Sequence, residues 1–69
     1  MKRVGIIARL DRAEAGEAVA KLVEWLSGQG RTPVVEQDTA RLVPNLTAAV
    51  VSKSDLPAHS DLIVVLGGD

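Results

Sequence analysis

Val4-Gly5-Ile6-Ile7-Ala8 is an unbroken apolar run. Continuity rather than alternation predicts a strand covered on both faces, as in a parallel sheet. Val4 and Ile7 favour the pleat, and Gly5 suggests a neighbouring element at close approach. Further on the period changes. Ala15, Ala18, Val19, Leu22, Val23 and Leu26 recur at three- and four-residue steps, while Glu14, Glu17, Lys21 and Glu24 fall on the other side. This predicts an amphipathic helix over Glu14–Ser27, entered through a capping box of Asp11 and Glu14 and closed by Gly28 or Gly30 in the left-handed conformation. Trp25, at the margin of the stripe, is expected to pack at the helix–sheet boundary. Thr32–Glu36 predicts a second strand, placed at a sheet edge because Pro33 cannot donate to a ladder. Gln37–Leu42 predicts one or two helical turns and residues 43–47 a loop, while Ala48–Val51 suits either a short strand or a buried turn. Ser54 is expected to cap a short helix through Asp55–His59, with Pro57 tolerated in the first turn. Leu62–Leu66 is the clearest strand, and it runs directly into Gly67-Gly68-Asp69.

Strand and helix patterns alternate, which indicates an α/β fold on a parallel sheet. Right-handed crossovers place the first strand between the other two, giving a Rossmann-like βαβαβ unit of order 2-1-3. Ligands in such sheets bind outside the carboxyl ends of the strands, where the Gly-Gly-Asp tripeptide falls.

Composition narrows the function. At 69 residues the chain holds one domain with a thin core, and without Cys and with a single His it lacks both disulfide and structural-metal staples. A net charge of −1 and one aromatic residue, Trp25, argue against a basic, stacking groove for nucleic acid. The apolar runs are five residues long, short of the ~7–15 of a signal peptide or the ~20 of a membrane span. No membrane partner and a cytoplasmic setting are therefore expected.

Gly67 and Gly68 allow a phosphate to approach the backbone closely, so that N–H groups face the anion. Asp69 beside them is placed to accept a proton from a hydroxyl nucleophile, or to hold a metal ion bridging phosphates. The tripeptide alone equally suits a strand-end turn with a helix-capping Asp. Arg9 and Arg12, in the loop after the first strand, lie at the same sheet edge and offer planar forks for phosphate oxygens, although solvated loop arginines are the commoner case. That loop has no Gly-rich dinucleotide or Walker pattern. His59 has no ligand partner and only Ser60-Asp61 as neighbours, so it reads as a helix-end residue. Glu14, Glu17 and Glu24 read as a wet helix face.

The stretch Asp61-Leu62-Ile63-Val64-Val65-Leu66-Gly67-Gly68-Asp69 resembles the segment of NAD kinases that leads into their Gly-Gly-Asp-Gly motif. Val4-Gly5-Ile6-Ile7 resembles that family's first strand, Leu22–Leu26 with Gly30 its first helix and turn, and Val34-Val35-Glu36-Gln37 its second strand. The motif is shared with diacylglycerol-type lipid kinases and phosphofructokinases, and residues 39–53 match loosely. The resemblance implies phosphoryl transfer to the 2′-hydroxyl of NAD from ATP or polyphosphate, with a divalent cation such as Mg2+. It implies Asp69 as the catalytic residue, Gly67 and Gly68 at the nucleotide, and a parent that is a homo-oligomer. Residues 1–69 are then expected to be the N-terminal part of the kinase α/β domain, inactive alone and prone to self-association because the β-rich NAD-binding domain is missing. The alternatives are a lipid-kinase fragment and a small non-catalytic α/β interaction module.

Overall fold

The computed structural model describes residues 2–9 and 13–67. In chain order its elements are β1 (Arg3–Ala8), α1 (Ala13–Gly28), β2 (Thr32–Glu36), α2 (Gln37–Ala40), β3 (Ala49–Val51), a 3₁₀ helix (Leu56–His59) and β4 (Leu62–Leu66). All strand pairs are parallel, in the order β3-β2-β1-β4. The expected 2-1-3 arrangement survives inside this sheet as β2-β1-β4. The ambiguous Ala48–Val51 stretch resolves as a fourth strand outside β2.

That fourth strand corrects the edge assignment of β2. Thr32 N–H donates to Lys2 O at 3.0 Å, toward β1. Strand amides alternate sides, so the nitrogen of Pro33 faces the β3 side. Pairing there begins only at Val34–Ala49, so no ladder donor is missed. A proline at the first turn of a ladder is compatible with an interior strand.

Helix α1 buries Val19, Val23 and Leu26 against Val4 and Ile6 of β1 and Val35 of β2, and its Ala15 is buried as well. The buried stripe is centred between Val19 and Val23. Ala18 and Trp25 lie about 120° and about 140° round the helix from it, so both face outward. Trp25 is 58% exposed, which corrects its expected place at the helix–sheet boundary. The helix closes in a Schellman motif: Arg31 N–H donates to Leu26 O and Gly30 N–H to Ser27 O, with Gly30 at φ 75°. Of the two expected glycines, Gly30 is therefore the cap. The Asp11–Glu14 capping box lies outside the described residues.

The opposite sheet face carries the 3₁₀ helix. Leu56 is fully buried there, and a Cβ on Gly5 would collide with Ser60 Oγ and approach Leu56 at 3.1 Å. The close approach read from Gly5 is thus made by the 3₁₀ segment. Its expected Ser54 cap is replaced: Asp55 is the N-cap residue without a side-chain cap bond, and Ser52 Oγ accepts from Asp55 N–H at 3.3 Å.

Candidate functional site

Parallel topology brings the carboxyl ends of all four strands to one edge. β1 exits there into Arg9 and β4 into Gly67. Arg9 N–H donates to Leu66 O at 3.0 Å, extending the β1–β4 ladder by one bond past Ala8–Leu66. This seats Arg9 beside the backbone at Gly67, whose φ of 83° lies in the left-handed region that favours glycine. Two of the sequence-derived site residues are therefore neighbours. Gly68, Asp69 and Arg12 lie outside the described residues.

The carboxyl end of β2 holds a group that hydrophobic pattern did not reveal. Glu36 is only 4% exposed. Its carboxylate caps α2, accepting from Asp38 N–H at 2.8 Å, Thr39 N–H at 3.1 Å and Thr39 Oγ1–H at 2.9 Å. Burial pushes the Glu36 pKa up, but the bonds from Asp38 and Thr39, with the charge of Lys53, outweigh it and leave the pKa below its ordinary value of 4.5. Thr39 Oγ1 also accepts from Ala8 N–H at 2.9 Å. The β1–β2 ladder ends at Ile6–Val35, and the threonine hydroxyl takes the next amide of β1 on that side. Glu36, Thr39 and Ala8 thus form one connected set that fixes the exit of β1 immediately before Arg9. The signal available in sequence was Glu36 and Thr39 three apart at a strand-to-helix junction, the spacing of a capping box with the two residue types exchanged.

The other candidates separate from this edge. Asp61 accepts from Arg3 N–H at 2.8 Å and its own N–H donates to Arg3 O, so it pins the start of β4 to the start of β1. Ser60 Oγ is buried above Gly5 and has no hydrogen-bond partner among the described residues. His59 sits exposed in the last turn of the 3₁₀ helix. Glu17 and Glu24 are exposed on α1, as a wet face requires. A cleft of about 270 Å3 between α1 and residues 43–47 contains no strand-end residue. Among the described residues no group of three or more His, Asp or Glu could hold a metal ion, and no helix is long and apolar enough to cross a membrane.

Comparison with known proteins finds relatives over nearly the whole chain. The chain is 40% identical over 68 residues to an NAD kinase of Marinomonas sp. (strain MWYL1), covering 99% of this chain and 23% of that protein. It is 37% identical over 70 residues to an NAD kinase of Citrifermentans bemidjiense and 35% identical over 69 residues to one of Geotalea daltonii, covering 24% of each. The matched region is the N-terminal part of these proteins, so the chain spans about a quarter of the length of the curated relatives it matches. No family model and no solved structure matches the chain.

Proposed function

We propose that this chain, homologous to the N-terminal part of NAD kinases, supplies the phosphate-facing edge of an enzyme that phosphorylates the 2′-hydroxyl of NAD with ATP or polyphosphate. The observation that carries the reading is the Arg9–Leu66 bond, which sets a cation beside a left-handed glycine at the carboxyl ends of adjacent strands. The sheet order β3-β2-β1-β4 matches the first four strands of the doubly wound Rossmann arrangement, whose ligands lie outside that edge. A Rossmann-like unit is the fold reading that goes with the proposal.

In this reading Gly67 and Gly68 keep the backbone low enough for phosphate oxygens to meet N–H groups. Arg9 offers a charged fork to the same oxygens. Asp69 takes the proton of the attacking 2′-hydroxyl, which raises the nucleophilicity of that oxygen as the phosphoryl group transfers. Glu36 and Thr39 touch no substrate; they hold the end of β1 so that Arg9 stays in place. No cluster of acidic or His side chains among the described residues would hold Mg2+, which would come as part of the donor and neutralise charge on its phosphates. NAD and the remaining site groups belong to the portion of the relatives that this chain does not span.

The test is NADP formation by the longer protein that carries this chain, supplied with ATP and NAD. The expected result is NADP from the longer protein and none from the 69-residue chain. Phosphorylation of diacylglycerol with no NADP would replace this reading by the lipid-kinase one. Activity toward neither would favour the non-catalytic module.

A further inference from the structure

On the sheet face that carries the 3₁₀ helix, a shallow cavity of about 190 Å3 opens between Ile7, Arg9, Lys53 and Val65. Ile7 and Val65 are register partners on β1 and β4, one pair short of the strands' carboxyl ends. Lys53 enters from the turn after β3, so two cations from separate loops line one small space. Among the described residues that line it, none is a carboxylate. The one ion pair among the described residues joins Arg41 to Asp38, elsewhere. The charge of Lys53 also bears on Glu36, but that carboxylate is buried and already accepts from three donors.

We infer that Arg9 and Lys53 form a clamp for a phosphate group, and that in the kinase reading above, on which the identity of the ligand rests, it takes the polyphosphate tail of the donor. The size decides against a whole nucleotide. Small-molecule pockets run about 300–1,000 Å3, whereas this one suits a phosphate-sized group with the rest of the ligand outside. The two cations differ usefully: Arg presents a planar fork to two oxygens, and Lys a mobile point charge. Ile7 and Val65 form the apolar floor, and because the site is open to solvent its attraction for an anion is screened by salt, so low ionic strength favours binding. Lys53 has no signature in the sequence, because only the return of the chain across the sheet brings it to Arg9.

The inference is tested by titrating the 69-residue chain with inorganic tripolyphosphate at low ionic strength and following amide chemical shifts. Saturable shifts are expected at Ile7, Arg9, Lys53 and Val65. Lys53→Gln and Arg9→Gln should each weaken binding about three- to tenfold. Lys21→Gln, on the exposed face of α1, removes the same charge and should leave the affinity unchanged. All three side chains are exposed, and unchanged circular dichroism verifies that each variant folds. No saturable binding, or equal weakening by Lys21→Gln, would overturn the clamp. The probe has no nucleoside, so the outcomes separate. NADP formation by the longer protein without tripolyphosphate binding here removes the clamp and keeps the kinase reading. Binding here without NADP formation leaves an anion clamp and removes that reading.

Discussion

Glu36 shows how one buried charge can organise a strand end. An ionised carboxylate out of water is costly unless donors replace its hydration, and three donors from Asp38 and Thr39 do so. Its pKa is lowered in the folded chain, so it contributes stability that is fully present above 4.5 and is lost as pH falls through the folded-state value. Glu36→Gln should cost about 1–3 kcal/mol at neutral pH, because an amide NH2 meets donors and leaves them unpaired. Urea unfolding at neutral pH and at steps below 4.5 should show the gap between the two proteins closing as acid protonates Glu36. A gap independent of pH would contradict the assignment. Gly5 is the second telling residue. A methyl group there must displace Ser60 Oγ and press on Leu56, so Gly5→Ala should destabilise by about 1–3 kcal/mol in the same unfolding experiment.

Among the elements, β4 is the longer of the two sheet edges and most of its side chains are exposed. It pairs only with β1, and Leu62, Ile63 and Val65 are 54%, 36% and 50% exposed. The backbone groups of Ile63 and Val65 alternate to the open side, since Leu66 O points to β1. An apolar edge without a charged side chain invites pairing with another chain. Concentration-dependent self-association is therefore expected in sedimentation. Leu62→Lys should reduce it while changing stability by no more than about 0.5 kcal/mol, because the side chain is already outside the core. A variant that associates as strongly as the parent sequence would place the contact elsewhere. The same strand marks what sequence could convey. Its five apolar residues predicted a strand, as those of β1 did, and the three- and four-residue steps of α1 predicted its length within one residue at each end. Position within the sheet was less legible. Pro33 argued for an edge, yet the interior place of β2 depends on where β3 begins. Trp25 shows the complementary limit: a large apolar residue at a stripe's margin can turn either way, and here it faces out.

For the whole molecule, the parallel sheet is what gathers the candidate site residues at one edge. Arg9 and Gly67 are 58 positions apart in sequence and become neighbours because β1 and β4 are adjacent and parallel. That proximity was legible, since it follows from strand order alone. Lys53 and the Glu36–Thr39 set were not, because they depend on the path between strands and on side-chain hydrogen bonds. Phosphoryl transfer is mostly positioning and electrostatic stabilisation, so in the kinase reading proposed above this edge would act only together with the portion of the relatives that the chain does not span. In the reading proposed above, the edge serves phosphoryl transfer with Asp69 as the proton acceptor. Steady-state kinetics of Asp69→Asn in the longer protein test it most directly. Asn keeps the shape and removes the base, so kcat should fall by roughly 10²–10⁴, with the KM for NAD little changed because the lost interaction belongs to the transition state. Near-full turnover by the Asn variant would contradict the account and return Gly67-Gly68-Asp69 to a strand-end turn.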